Sequence, residues 1–245
     1  FEINNSIISN NSANHSGAVY TNNSTFEINN TIIEENISND DAGGIFAALS
    51  YFNLNDVRFI SNTSQVKGGA IFSQDSQFNI SKTLFYNNSA PENASVIITQ
   101  GDSDLSLDKC TIIGNLTDNG SIKSENGGEI DIKNSIIRDN NHSGIFNGQV
   151  GDSPFFQINY SNLDEVWSGS YDCIDCINEN PLFTNLENED FTLQPSSPCI
   201  DEGDPNSELD PDGTITDIGA YSFFQISGCT DELSCNHNPD ANTDD

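Results

Sequence analysis

The chain repeats one pattern of apolar and polar positions every 25 to 27 residues. In the first copy, Phe-Glu-Ile-Asn-Asn-Ser-Ile-Ile-Ser-Asn-Asn, the first, third and eighth positions are apolar and the sixth is small. The second and fourth positions are polar in nearly every copy. Such alternation predicts a strand with one buried face. The copies open at Phe1, Phe26, Phe52, Phe78, Leu105, Ile130 and Phe156.

Each predicted strand is too short to bury its apolar face alone. Stacking the copies about 4.8 Å apart would join their Phe and Ile side chains into one continuous core. Because successive copies run in the same direction, the strands pair in parallel, and parallel strands connect through right-handed crossovers. We therefore predict an all-β fold, a right-handed parallel β-helix of about seven coils over residues 1–165.

A second short strand follows a loop in each copy, as in Gly17-Ala-Val-Tyr20 and Gly43-Gly-Ile-Phe46. We expect these glycines to turn the chain at a corner with positive φ. The loop before them varies in length between copies. Insertions at one corner of a solenoid commonly form its binding surface, so this corner is a candidate site of function.

One asparagine recurs in each of the first six copies, ten residues after the opening apolar residue. It falls at the turn that leaves the strand, where Asn tolerates the left-handed conformation. Stacked Asn amides can also hydrogen-bond to each other and so satisfy buried polar groups. We interpret this column as a structural Asn ladder formed by Asn11, Asn36, Asn62, Asn88, Asn115 and Asn140.

The repeat ends after residue 165, where Val166 takes the place of the next ladder asparagine. From there Pro and Cys become frequent, while apolar anchors such as Trp167, Phe183 and Tyr221 remain. A β-helix exposes the core of its last coil, so we expect residues 166–226 to form a Cys- and Pro-containing cap over that coil. Residues 227–245 form a further segment that is rich in Cys and Asp.

The composition is strongly acidic, with 38 Asp and Glu against 7 Lys and Arg and a net charge of −31. Nucleic-acid binding needs a basic patch, and an anionic membrane surface would repel this chain, so the charge argues against both partners. No apolar run approaches the roughly 18 residues of a membrane-spanning helix, so no membrane insertion is expected. The chain begins inside a repeat and contains no Met, which suggests a segment of a longer protein.

Five of the six cysteines lie in the last third of the chain. This clustering predicts disulfides formed in an oxidising compartment. A link from Cys199 to Cys173 or Cys176 would pin the cap. Zinc binding by Cys173 and Cys176 is the competing interpretation, although the second close pair that zinc sites usually need is missing. The cysteines expected to pair are Cys173, Cys176, Cys199, Cys229 and Cys235, whereas Cys110 lies within the repeats.

Three parts of the sequence resemble known families. The repeats, with Gly68-Gly-Ala-Ile71 as a typical phrase, resemble bacterial β-helix surface proteins, including polymorphic outer-membrane proteins and polysaccharide-lyase-like repeats. Asn180-Pro-Leu-Phe183 and Asp217-Ile-Gly-Ala-Tyr221 resemble the choice-of-anchor modules of secreted bacterial proteins. Gly228-Cys-Thr-Asp231 with Cys235-Asn-His-Asn-Pro239 is similar to the GCTD…CNYNP repeat of large extracellular proteins, many of which use type IX secretion. These resemblances imply a secreted or cell-surface location outside a bacterial cell.

A catalytic role would need a recognisable group of residues, since β-helices include both polysaccharide lyases and noncatalytic adhesins. A lyase needs a basic residue beside a calcium-binding acid cluster. Lys82 and Lys109 share a column in adjacent coils and could meet one ligand, although a solvated surface pair is the simpler interpretation. Arg58 and Arg138 lie three coils apart, too far to share one centre.

A glycoside hydrolase needs two carboxylates about 5–10 Å apart. The candidate pairs are Asp102 with Asp104 and Asp108 with Asp131. None of them has a neighbouring His or Arg in the pattern that would tune its pKa. The histidines, which form neither a triad nor a metal-binding spacing, are His15, His142 and His237. We therefore predict no catalytic residues.

Calcium is the one cofactor that the sequence suggests, because hard oxygen ligands fall on two loops near the C-terminus. In the first loop, Asp210, Asp212 and Asp217 flank a bend at Gly213. The second has the alternate-residue spacing of EF-type loops without their central Gly and distal Glu, and its residues are Asn238, Asp240, Asn242 and Asp244. Asx-rich turns are the alternative interpretation.

Together these features favour a noncatalytic, adhesin-like β-helix segment of a larger secreted bacterial protein, whose loops bind a glycan or another cell-surface protein. The alternative is a polysaccharide lyase or glycoside hydrolase that acts on an anionic polysaccharide. A third hypothesis is carbohydrate binding without turnover along an aromatic groove. That groove would contain Tyr20, Tyr51, Phe72 and Tyr86.

Overall fold

The computed structural model describes residues 1–90, 96–117, 120–125, 128–140, 145–148, 155–164, 173–231, 233–234 and 236–244. Regular structure in this part of the chain is β-strand, apart from one 3-10 turn at Leu186–Asn188. The prediction of an all-β fold is confirmed.

The largest sheet contains the strands that open each copy of the repeat, all paired in parallel. A left-handed residue, such as Asn5 or Lys82, divides most of these strands into two arms. The strands of this first sheet are Glu2–Asn4, Ile7–Ser9, Thr25–Glu34, Tyr51–Ile60, Gln77–Ser81, Leu84–Tyr86, Asp104–Asp108, Thr111–Ile113, Glu129–Lys133, Ile136–Arg138, Phe155–Asn159, Asn162–Leu163 and Cys173–Ile174.

Two narrower parallel sheets complete each coil. The second sheet follows directly, with strands Ser12–Ala13, Ile37–Ser38, Thr63–Ser64, Ser89–Ala90 and Leu116–Thr117. The third sheet comes after the variable loop, with strands Val19–Asn22, Ile45–Ala48, Ile71–Gln74, Ile97–Gln100, Ile122–Glu125 and Ile145–Gly148. The third-sheet strands begin one to three residues later than the sequence phrases predict.

The pairing register places equivalent positions of successive copies opposite each other. Phe26 faces Phe52, and Ile130 faces Phe156, as the repeat predicts. Five coils contain strands of all three sheets within the described residues, slightly fewer than the seven copies of the opening phrase. The chain is therefore a parallel β-solenoid.

Stacked aromatic rings fill the core of the first coils. The rings of Phe26, Phe52 and Phe78 are nearly parallel, with centroids 4.7 Å apart at both steps, and Phe59 stacks on Phe85 at 4.9 Å. Burial of each such side chain stabilises the fold by roughly 1.5–3 kcal/mol, and each stacked pair adds about 0.5–1.5 kcal/mol. Since every ring needs the coil above and below it, the coils stabilise one another.

The glycines before the third sheet are required for close approach between coils. The expectation of positive φ is wrong for Gly17 and Gly43, because neither is left-handed. A Cβ atom at Gly17 would overlap the carbonyl oxygen of Gly43, and one at Gly43 would overlap that of Gly69. Backbone of the next coil thus occupies the space that a side chain would fill.

The predicted Asn ladder is confirmed from Asn11 to Asn140. At each step, Nδ2 of one asparagine donates to Oδ1 of the next at 2.9–3.0 Å. The backbone N–H donates to the same Oδ1 at 2.8–3.2 Å. Nδ2 also donates to a first-sheet carbonyl, as Asn62 does to Ile33 at 2.7 Å. The buried amides are therefore satisfied within the stack.

The left-handed conformation expected of the ladder asparagines belongs instead to the residue before each of them. The residues in question, with φ between 51° and 64°, are Asn10, Glu35, Ser61, Asn87, Gly114 and Asp139. The ladder asparagine must direct its N–H along the stack, so its predecessor makes the turn. Hydroxyl residues follow the same rule at other corners: left-handed Leu49 precedes Ser50, whose N–H donates to the Ser76 hydroxyl at 3.0 Å.

The chain after residue 172 first extends the stack and then turns back along its side. Cys173–Ile174 pairs with Phe155–Asn159, and the Leu163 N–H donates to the Ile177 carbonyl at 3.0 Å. The residues that follow pack against the side of the stack, and the predicted cap over its last coil stays a prediction. They cover apolar side chains outside the first sheet, in a second core made of Leu84, Ile113, Ile136, Phe183, Phe191, Leu193, Cys199 and Ile218. Val166 and Trp167 lie outside the described residues.

Candidate functional site

An open groove lies at the corner where the third sheet leads into the first sheet. Its volume is about 760 Å³, and it crosses successive coils. Nearly all of its lining residues are polar, and they include Asn22, Ser24, Tyr51, Asp75, Gln77 and Asp102. This groove is the candidate binding site.

The hydrogen-bond pattern described above for Ser50 also fixes the floor of the groove. Ser24 and Ser50 follow left-handed residues, and each N–H donates to the serine hydroxyl of the next coil, at 3.2 and 3.0 Å. Each hydroxyl in turn donates to a carbonyl two residues earlier, at 2.9 Å for Ser24 and 2.7 Å for Ser50. The polar groups beneath the groove are thus fixed by hydrogen bonds before any ligand arrives.

The groove combines an aromatic ring with carboxylate and amide groups. Tyr51 is 44% exposed, and its hydroxyl accepts a hydrogen bond from Asn79 Nδ2 at 3.3 Å. Asp75 Oδ1 accepts the Asp102 N–H at 3.2 Å. An aromatic face beside fixed acceptors suits the apolar face and the hydroxyl groups of a sugar. The two aspartates favour neutral or amino sugars, because they would repel uronates.

The predicted groove of four aromatic residues does not form. Phe72 is 1% exposed and lies under the Lys67 ammonium, 4.0 Å from the ring centroid. Tyr86 packs against Phe191 with ring centroids 4.9 Å apart. Tyr20 is exposed on the third sheet, and Tyr51 is the only one of the four that lines the groove.

A charged cluster at the variable corner includes a histidine that the sequence pattern leaves isolated. His15 Nδ1 lies 3.0 Å from Asp41 Oδ2 and 3.7 Å from Asp40 Oδ2, and Lys67 Nζ lies 3.1 Å from Asp41 Oδ1. Within the described ranges, no other three His, Cys, Asp or Glu ligand atoms come within 4.8 Å of one another. The repeat length could have predicted this contact, because His15 and Asp41 are 26 residues apart and therefore share a column in neighbouring coils. Because Lys67 already neutralises Asp41, we assign the cluster to holding this corner together.

The lysine column does not present two bases to one ligand. Lys109 Nζ lies 2.8 Å from Asp210 Oδ1, with the two side chains only 9% and 1% exposed. Lys82 occupies the equivalent left-handed corner one coil earlier. A lyase centre that uses both lysines is therefore not assembled.

The carboxylates considered for a hydrolase make local contacts between coils. Asp104 Oδ1 accepts the Glu129 N–H at 2.9 Å. Asp108 Oδ1 accepts from Asn134 Nδ2 at 2.7 Å, and its Oδ2 lies 3.8 Å from Lys133 Nζ. Burial raises the pKa of Asp131, which the positive charge of Lys133 partly opposes.

The three aspartates of the first predicted calcium site accept hydrogen bonds from the protein itself. Asp210 Oδ1 accepts from Lys109 Nζ and the Ser222 hydroxyl, and its Oδ2 accepts the Asp217 N–H, all at 2.8 Å. Asp212 accepts backbone N–H groups at both carboxylate oxygens. A calcium ion here would have to displace these donors, including the ammonium group of Lys109.

Among the carboxyl groups of this region, Asp217 has the most strongly shifted pKa. It is 1% exposed, and its oxygens accept the Asp201 and Phe223 N–H groups at 2.8 and 2.6 Å. Burial raises the pKa of Asp217 to about 6, with a smaller contribution from the charges of Asp210 and Asp201 and an opposing one from the two N–H groups. This carboxyl therefore retains its proton closer to neutral pH than an ordinary aspartate.

The second predicted calcium group lies in turns and bridges of the last segment. Asn238 Oδ1 accepts the Asp240 N–H at 3.1 Å. Asn242 Oδ1 accepts the Ile226 N–H at 2.7 Å, and Asp244 Oδ1 accepts a backbone N–H at 3.0 Å. The Asn238 contact is an Asx turn, the alternative interpretation, whereas Asn242 and Asp244 accept from residues 16 and 14 positions earlier in the chain.

The cysteines pair differently from the expectation. Cys173 and Cys176 form a disulfide with each other, which excludes both the zinc interpretation and a link from either of them to Cys199 in this structure. Cys199 is a free, buried thiol whose Sγ accepts from Asn162 Nδ2 at 3.1 Å. The other free thiols within the described residues are Cys110, whose pKa burial raises to about 12, and Cys229, while Cys235 lies outside them.

Comparison with protein-family models, with curated proteins and with solved structures found no match for this chain. The parallel solenoid is thus established by the structure itself. None of the helical structure among the described residues has the length and apolar character of a membrane-spanning helix.

Proposed function

We propose that this chain is a noncatalytic, adhesin-like segment of a larger bacterial extracellular protein, and that it binds carbohydrate in the groove around Tyr51. The observation that carries this proposal is the groove itself, an open volume of about 760 Å³ built across successive coils. Its ligand is a neutral or amino-sugar glycan, because Asp75 and Asp102 line it.

Preorganisation supports binding at this place. The serine hydroxyls and backbone groups of the corner are held by hydrogen bonds from coil to coil. A rigid site loses little conformational freedom when a ligand binds, so modest contacts suffice for affinity. Regular loops on a rigid scaffold are the usual place for binding residues.

The basic side chains support a noncatalytic role. The lining of the groove, which falls within the described residues, contains no Lys, Arg or His. Elsewhere, ion pairs with N–O distances of 2.6–3.8 Å engage Lys67, Lys109, Lys123 and Lys133. An elimination reaction on a polysaccharide would need a base beside the substrate, and the groove lining places no Lys, Arg or His there.

The extracellular part of the proposal rests on chemistry and resemblance together. The Cys173–Cys176 disulfide fits an oxidising compartment. The net charge of −31 keeps a secreted chain soluble. Surface attachment through a sorting tail follows from the resemblance to choice-of-anchor modules and to extracellular GCTD repeats.

A glycan array tests the proposal. We expect the chain to bind neutral or amino-sugar glycans, and Tyr51→Ala to weaken binding about tenfold, roughly 1.4 kcal/mol. Tyr20→Ala is the matched control, because Tyr20 is also exposed, at 56% against 44% for Tyr51, but lies outside the groove. A silent array, or equal loss in both variants, would overturn the proposal. Turnover of an anionic polysaccharide would favour the lyase or hydrolase instead.

A further inference from the structure

The ion pair between Lys109 and Asp210 joins the solenoid to the C-terminal region that folds along its side. The two residues are 101 positions apart, and Nζ lies 2.8 Å from Oδ1. Their side chains are 9% and 1% exposed, so water has almost no access. By contrast, Lys67 with Asp41 and Lys133 with Asp108 are ion pairs near the surface.

The Asp210 carboxyl is surrounded by groups suited to acyl transfer. The Asp217 N–H donates to Oδ2 and the Ser222 hydroxyl donates to Oδ1, both at 2.8 Å. The Asp217 side chain is a second buried carboxyl, close enough for its pKa to respond to the charge of Asp210. A lysine nucleophile, a carboxyl electrophile, an oxyanion donor and a neighbouring acid therefore meet in one dry site.

We propose that Lys109 and Asp210 condense spontaneously into an intramolecular isopeptide bond that staples the C-terminal region to the solenoid. The Lys109 ammonium first gives a proton to Asp210 Oδ1, which leaves a neutral amine and a neutral acid. The Nζ lone pair then forms a bond to Cγ, and the Cγ–Oδ1 bond breaks. The departing oxygen takes the second proton from nitrogen and leaves as water, so the products are one amide and one water.

Physical chemistry favours each step in this environment. Burial penalises both charges of the ion pair, and formation of a neutral amide removes them. Fixed contact at 2.8 Å replaces the encounter of two separate reactants. The Asp217 N–H stabilises the negative charge that develops on Oδ2.

Intact-mass spectrometry of the full chain is the decisive measurement. We expect a mass below the sequence mass by one water, in addition to the two hydrogens lost at the Cys173–Cys176 disulfide. Peptide mapping should recover the Lys109 and Asp210 peptides joined to each other. Lys67 and Lys133 serve as internal controls and should map as unmodified peptides. If the measured mass shows no loss of one water, the proposal is overturned.

Dehydration at Asp212-Gly213, which would form a succinimide, also removes one water and must be separated from the isopeptide bond. Lys109→Arg abolishes the isopeptide bond but leaves a succinimide in place, so a water loss that persists in this variant overturns the proposal. Asp210→Asn should release ammonia instead of water and reach the same final mass as the cross-linked natural chain. These readouts do not involve Tyr51, so they succeed or fail independently of glycan binding.

Discussion

At the scale of single residues, one local rule recurs at most corners of the stack. A left-handed residue turns the chain, and the next residue, Asn, Ser or Thr, accepts a backbone N–H from the preceding coil through its side-chain oxygen. Asn30 with Thr31 and Leu49 with Ser50 illustrate the rule outside the Asn ladder. The rule satisfies backbone groups that a tight corner would otherwise leave buried without partners.

Asn88→Ala tests the ladder. Asn88 accepts the Asn62 N–H and Nδ2 at 3.1 and 3.0 Å, so the variant leaves both donors buried without an acceptor. We expect the free energy of unfolding to fall by at least about 2 kcal/mol. Asn79→Ala is the control, since its contact with Asn53 is exposed, and it should cost less than about 0.5 kcal/mol. Equal costs in urea denaturation would contradict the ladder's role.

Asp217→Asn should alter how stability depends on pH. The pKa of Asp217 rises from 3.8 to about 6 on folding, so the folded chain binds this proton more tightly than the unfolded chain. The residue therefore stabilises the fold below its unfolded pKa, and this stabilisation is lost as the pH rises through the folded pKa. The effect is at most about 3 kcal/mol. Urea denaturation from pH 4 to 7 should show the advantage of the natural chain over the variant shrinking; a constant difference would contradict the shift.

At the scale of elements, the strands and their register follow from the repeat. The apolar columns, such as Phe26, Phe52 and Phe78, are predictable because a fixed period stacks equivalent residues. The conformation at each corner is not predictable from the sequence, because Asn occurs both in the left-handed position and in the ladder position beside it. The Lys109–Asp210 contact lies outside any period, so the sequence pattern contains no signal for it.

Gly43→Ala should show how tightly neighbouring coils approach. The added Cβ would overlap backbone atoms of the next coil, so two coils must separate, at an expected cost of about 1–3 kcal/mol. Gly213→Ala is a useful comparison, because the space there is open and only its positive φ resists the substitution. Thermal denaturation should rank Gly43→Ala as the more destabilising change. The reverse order would mean that conformation, and not contact, selects glycine before the third sheet.

At the scale of the whole molecule, the C-terminal region covers the side of the solenoid. Leu84, Ile113 and Ile136 occupy the seventh and ninth positions of their copies and lie in the second core with Phe191 and Ile218. These apolar positions were the sequence signal for lateral packing. They are easily assigned to the main core instead, because the pattern does not show which side of a short strand faces inward.

Phe191→Ala should loosen this lateral packing without melting the stack. Phe191 is 2% exposed and contacts the rings of Tyr86 and Phe183, so its loss should cost about 3–5 kcal/mol locally. Hydrogen exchange should accelerate in residues 178–226 and stay slow in residues 26–60. Phe52→Ala, inside the stack, should produce the opposite distribution. Uniform acceleration in Phe191→Ala would show that the two parts unfold as one unit.

The Asn ladder also makes the solenoid modular, with one coil as the unit. Each asparagine from Asn36 to Asn115 bonds to the coil before it and to the coil after it in the same way. A whole coil can therefore be removed or inserted, and the ladder closes again across the junction. Each such event would change the reach of the protein by about 4.8 Å. Gain and loss of repeats would thus change the length of the solenoid in fixed steps without changing the contacts within each coil.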